Sequence, residues 1–217
     1  EGWINASDLS TTDNRIEAVQ KVLNEKYNNQ ERISVYVKQL DTDRVAAIND
    51  EKSMYAASVA KLGVLYYAQE RLSQKKLSLS DEYQYTSAVN GFPGAYDPDG
   101  SGKISKMPDD KNYSLENLLK AVAQNSDNVA TNILGYYVTN QYDKAFQKSV
   151  DKAAATSWNM DKKELTARAA GTLMEAVYRQ NGDIINYLSS TDYDGERISK
   201  NIDVPVAHKI GGAYDFK

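Results

Sequence analysis

At 217 residues, with 41% hydrophobic and 26% charged side chains, the chain is long enough to bury a sizeable core and has an ordinary soluble composition. A formal net charge of −4 and a pI near 5.2 give no support for nucleic-acid binding, and no apolar run approaches the roughly 18 residues of a membrane span. The absence of cysteine excludes disulfides and thiolate metal sites and suits an exported protein.

In chain order, residues 1–11 ("EGWINASDLST") show neither helical nor strand period and read as a surface strap. No secretory leader stands at Glu1, which fits a cytosolic or an already mature chain. Residues 12–29 carry Ile16, Val19, Val22 and Leu23 on one helical face. "RISVYVKQLDTDRVAAIND" reads as a hairpin, with Ile33, Val35 and Val37 alternating before a turn at "DTD". The spacing predicts helices over 58–72, 114–124, 127–138, 142–150 and 165–180. A long Gly/Pro/Asp-rich loop, "SAVNGFPGAYDPDGSGKISKMPDDKN", lies among them. "NIDVPVAHKIGG" is β-branched and reads as a late strand, with Pro205 at an edge or a first turn. Helix, hairpin, many helices and a strand describe an α/β (α+β) layer over 12–57 and 202–217, interrupted by a helical domain over 58–201.

Three short motifs punctuate this order: Ser58-x-x-Lys61, Ser126-Asp127-Asn128, and Lys209-Ile210-Gly211. Each has a plain reading alone. Ser58 could cap a helix while Lys61 reaches solvent, Ser126 or Asp127 could be an N-cap, and His208-Lys209 could be solvated on an edge strand. The chain has one histidine, His208, so a Ser-His-Asp enzyme would have to use it and a multi-histidine metal site is excluded. A nucleophilic serine would need another base. Three residues along a helix bring Ser58 and Lys61 to one face, about 5–6 Å apart at the β-carbons. A free lysine amine titrates near 10.4. To serve as a base, Lys61 must be lowered by burial and by a second cation such as Lys209.

S-x-x-K, S-D-N and K-x-G in this order form the set used by penicillin-recognising serine enzymes, and the chain resembles class A β-lactamases and their penicillin-binding relatives. The resemblance runs from about Asp13 to Gly212, through "MYAASVAKL", "QNSDNVATNIL", "ELTARAAGTLMEAV" and "VAHK". It implies a transpeptidase-like fold, an antiparallel sheet with an inserted helical domain, and no cofactor. It also implies Ser58 as acylated nucleophile and Lys61 as its base. Ser126 and Lys209 would relay protons and hold the substrate carboxylate. Asn128, Gly211 and Gly212 would bind substrate, with the N–H groups of Ser58 and Gly212 forming an oxyanion hole. The expected substrates are β-lactams or peptidoglycan peptides, and the expected place is the outside or surface of a Gram-positive cell. The opening strap is similar to the end of bacterial SH3-like wall-binding modules.

Three departures qualify this. The second K-T-G position is Ile210, which loses a hydroxyl worth about 1–3 kcal/mol of carboxylate recognition. No E-x-x-L-N pattern occurs in "SVDKAAATSWNMDKKELTARAA", so the deacylating glutamate is missing and Asp151 or Asp161 would have to replace it. Slow deacylation is expected. The two strands and terminal helix that follow K-T-G in the family are absent from this chain. Either the sequence is a fragment, in which Lys209 would not be expected to keep working geometry, or a separate C-terminal segment from a second chain completes the sheet. "DPDGSGKI" matches half of a calcium loop through Asp97, Asp99 and Ser101, but Pro108 stands where its glutamate belongs. Tyr96 and Tyr113 are candidate site walls. The rival readings are a D-Ala-D-Ala peptidase and a catalytically silent wall-binding module.

Overall fold

The computed structural model describes residues 13–213; the strap read over 1–11 lies outside them. Helix α1 (Arg15–Tyr27) buries Ile16 and Leu23. Beneath it, β1 (Val35–Lys38) and β2 (Val45–Ile48) form the expected antiparallel hairpin, with Val35 opposite Ile48. The two helix residues close with Ala46 into a small satellite cluster. Gln20 then works as a surrogate strand. Its amide donates to the Ala47 carbonyl at 3.0 Å and accepts from the Ala47 N–H at 2.8 Å, so the outer edge of β2 is satisfied rather than left open.

Past the hairpin, β3 (Met54–Tyr55) pairs with β6 (Glu164–Leu165), which ties the start of the helical region to its far side. A 3-10 turn, Ala57–Lys61, runs into α2 (Leu62–Ser73). The helix expected from residue 58 therefore begins as a tighter turn. Ala57 sits at a left-handed φ of 46°, and the Val59 N–H donates to Ala56 O in the three-residue manner. Helix α2 buries residues on every side, including Leu62, Val64, Leu65 and Tyr67, which makes it the central helix. Trp158 is wholly buried against it. A β-carbon at Gly63 would meet the Trp158 indole nitrogen at 2.7 Å, so only glycine allows this approach.

Around α2 pack α3 (Leu115–Asn125), α5 (Lys144–Ala154), α6 (Ala167–Gln180) and the short α7 (Asp183–Leu188), and α4 (Asn128–Tyr137) follows α3 directly. Side chains of Ser114, Asp127, Asp143 and Thr166 cap α3, α4, α5 and α6, each stabilising its helix by about 1 kcal/mol. The Thr166 cap explains why α6 starts later than expected: Leu165 is spent in β6. The pairing of β4 (Glu82–Gln84) with β5 (Asn112–Ser114), and α7 itself, were not legible as periodic segments. Both are too short to show a period.

The late strand needs correction. After a 3-10 turn at Ser199–Asn201, residues 202–213 form no ladder among the described residues. A β-branched stretch becomes a strand only beside a partner, and none of the three two-stranded sheets includes it. It is extended chain, tied by one backbone bond from the His208 N–H to Leu188 O at 3.0 Å.

Candidate active site

The 3-10 turn supplies the first part of the site. With three residues per turn, side chains three apart eclipse one another, so Ser58 and Lys61 stand on the same side. The plain reading of Lys61 as a solvent-seeking lysine is overturned, since it is fully buried. Its Nζ donates to Ser126 O and to Asn128 Oδ1, both at 2.6 Å, and lies 3.5 Å from Ser126 Oγ. Burial lowers its pKa to about 6, and the Lys209 charge adds to that shift. At neutral pH the amine is mostly unprotonated. It can then give its two hydrogens to the two short bonds and keep a lone pair. Among the described residues Ser58 Oγ has no hydrogen-bond partner, which leaves it free to turn.

The S-D-N turn supplies the second part. Ser126 ends α3 at a left-handed φ of 54° and is 3% exposed. Such a conformation costs a non-glycine residue about 1–2 kcal/mol, and the turn around it is correspondingly well held. Asp127 is fully buried, and its carboxylate accepts from the Ala130, Lys103 and Ile104 N–H groups at 2.6–2.9 Å. The plain N-cap reading is thus right for Asp127, and Ser126 beside it is free to face Lys61. Asn128 bridges outward, with its Nδ2 donating to Asp97 O at 2.7 Å.

The third part is the segment after α7. Lys209 Nζ donates to Ser126 Oγ at 2.7 Å and to Ile210 O at 3.0 Å. Contrary to expectation, Lys209 therefore joins the cluster although its segment has no sheet neighbour. Nor is His208-Lys209 a solvated pair. His208 Nε2 lies 2.8 Å from Asp194 Oδ1 and 3.2 Å from Thr191 Oγ1, which pins the segment to the preceding loop. Burial lowers the Lys209 pKa to about 7. Gly211 presses on the nucleophile turn so closely that a β-carbon there would meet Ala56 O at 2.5 Å. Gly212 borders, with Ser58, two adjoining cavities of about 520 and 420 Å³.

The larger cavity is bounded by Tyr96, Asp97, Asp99, Ser101, Asn128 and Lys163, and the smaller by Ser126, Arg197 and Ile210. Tyr96 is therefore a site wall. Tyr113 is not: it lies on β5 with its hydroxyl donating to Asp109. Asp151 and Asp161 do not reach either cavity. Asp151 accepts from the Trp158 N–H and from Gln147, and Asp161 borders a separate hollow with Pro93 and Tyr142. The residue of that stretch which does arrive is Lys163, and no sequence signal marked it. The half calcium loop folds onto the S-D-N turn instead. Ser101 O accepts from the Asn128 N–H, and the Asp97 carboxylate accepts from the Asp99 N–H. Among the described residues, no group of three His, Cys, Asp or Glu side chains could hold a metal ion.

An α+β fold of small antiparallel sheets around a central helix, with serine and lysine on its first turn, defines the β-lactamase and penicillin-binding class of fold. The chain belongs to the β-lactamase enzyme family, whose model matches residues 14–217. Among solved structures it is similar to a β-lactamase from Chitinophaga pinensis DSM 2588 at 18% identity and TM-score 0.69, covering 91% of this chain and 79% of that one. It is similar to a β-lactamase from Sphaerobacter thermophilus DSM 20745 at 15% identity and TM-score 0.66, covering 89% and 75%. PBP-A matches at 14% identity and TM-score 0.66, covering 82% and 70%. No curated protein sequence matches the chain.

Proposed function

We propose that the protein is an acyl-transferring serine hydrolase that opens β-lactams or cell-wall peptides through a Ser58 ester and releases the acyl group slowly. The observation that carries this reading is the buried chain Lys61–Ser126–Lys209, linked by hydrogen bonds and opening onto the cavities that Ser58 borders. In the first step the neutral Lys61 amine takes the Ser58 proton. The serine oxygen bonds to the substrate carbonyl carbon, and the N–H groups of Ser58 and Gly212 receive the oxyanion. The C–N bond then breaks, and the departing nitrogen takes a proton through Ser126 Oγ. Lys209, hydrogen-bonded to Ser126 and Ile210 in the wall of the smaller cavity, holds the substrate carboxylate, and Arg197 borders that cavity.

Slow release rests on the larger cavity, which no carboxylate of residues 151–164 borders. Asp97 and Asp99 stand at its exposed mouth. A penicillin G acyl-enzyme has been seen in a variant of PBP-A, and we extend that chemistry to this chain. A D-Ala-D-Ala peptidase is the second reading, favoured by the same cavity. Either substrate places the protein at the cell surface or outside the cell, as in a Gram-positive wall.

Intact-mass spectrometry over time with benzylpenicillin tests the reading. A persistent single adduct on Ser58, absent in Ser58→Ala, is the expected result. Its formation rate should rise through about pH 6 as Lys61 loses its proton. An adduct that vanishes as penicillin is consumed would replace slow release with rapid turnover. No adduct in the folded protein would overturn acyl transfer to β-lactams.

A further inference from the structure

Lys163 is unusual for a lysine. It is 9% exposed, stands at a left-handed φ of 54°, and forms part of the wall of the 520 Å³ cavity beside Ser58 and Asn128. An ammonium has three hydrogens to give. Lys163 gives one, to Gly94 O at 3.1 Å, and rests 4.5 Å from the centroid of the Tyr96 ring. Lys61 Nζ lies at the same 4.5 Å from that ring, so one buried tyrosine is shared by two lysine amines, of which Lys61 is the neutral one. Among the described residues no carboxylate lies within ion-pair distance of Lys163. Asp161 acts on it electrostatically without making a bridge. A nearly buried cation with unused donors is costly unless something completes it. Burial lowers its pKa, which is the signature of a charge short of partners.

We propose that Lys163 forms an anion subsite at the acyl end of the cleft, so that the favoured substrates carry a free carboxylate on the acyl side chain. The proposal rests on the acyl-transfer reading and narrows its substrate class. Asn128 meets the same cavity, so a side chain entering there passes the S-D-N turn before its carboxylate reaches Lys163. Asp97 and Asp99 border the cavity too, but both are exposed, where solvent and salt screen them. A carboxylate bound at Lys163 would be held by a charge-assisted bond away from that screening.

The test compares benzylpenicillin with carbenicillin, which differs by one carboxylate on the acyl side chain. Wild-type protein should be acylated by carbenicillin about tenfold faster at limiting concentration. Lys163→Met should erase that ratio and Lys163→Arg should keep it, with thermal melts confirming folding. Benzylpenicillin is the internal reference within each variant. An unchanged ratio in Lys163→Met, or a wild-type preference for the neutral side chain, overturns the subsite. Equilibrium binding of both compounds to Ser58→Ala reads the subsite separately from the chemistry. Equal affinities there also overturn it, whereas a carbenicillin preference without acylation in wild type would uphold the subsite and sink the hydrolase reading.

Discussion

The S-D-N turn and the Lys209 segment meet at one oxygen, Ser126 Oγ, yet they are held by different physics. The turn sits between two capped helices, with a fully buried carboxylate binding three backbone N–H groups. The segment has no ladder partner among the described residues. It hangs on one backbone bond, a His208–Asp194 contact and the tight seat of Gly211. Changes at the turn should therefore register first in stability, and changes in the segment first in chemistry.

The two regions separate in four measurements. Lys61→Met should abolish adduct formation and also flatten the pH dependence of stability. The folded pKa of Lys61 is about 6 against an ordinary 10.5, so the unfolded chain binds the extra proton between those values. The destabilisation is fully present below about pH 6 and gone above about 10.5. Wild-type stability thus climbs as pH rises through that window, with a contribution of up to about 1.4 kcal/mol per unit that the variant lacks. Denaturant titrations at pH 6, 8 and 10 read the slope, and parallel curves for the two proteins would contradict the assignment.

Asp127→Ala should cost about 3 kcal/mol, because the buried Ala130 N–H and the part-buried Lys103 and Ile104 N–H groups lose their acceptor at once. Thermal melts check it. Gly211→Ala should lower the acylation rate constant about 100-fold, since the added carbon would push the segment off Ala56 O. Its melting temperature should stay within a few degrees of wild type. Were the melt to collapse instead, the segment would be part of the core and the contrast would fail. Ile210→Thr is the mildest change: restoring a hydroxyl beside Lys209 should raise the apparent affinity for benzylpenicillin about tenfold.

Much of the site was readable because chemistry fixed its spacing. S-x-x-K is one turn of a 3-10 helix, S-D-N is a helix end followed by a cap, and each spacing reports a local geometry. Even so, the left-handed φ of Ala57 was hidden, because nothing about alanine announces it. Tyr96 and Tyr113 looked alike, since only packing tells a wall from a strand residue. Lys163 went unseen because the expected base was an acid, and Asp151 and Asp161 drew the eye. The late strand was overread for the converse reason: Val204, Val206 and Ile210 favour a ladder that the described residues do not supply.

Trp158 carries a last consequence. Its indole donates to Ala60 O at 3.2 Å and lies flush on Gly63, so the ring touches the very turn that bears Ser58 and Lys61. The chain has two tryptophans, and the other, Trp3, is remote in sequence from every residue of the site. The protein thus contains its own fluorophore against the backbone of the turn that carries Ser58 and Lys61. If Ser58 is acylated as proposed, a shift of the Ala60 carbonyl should change the emission of that ring, and stopped-flow fluorescence during mixing with benzylpenicillin would read it with no label attached.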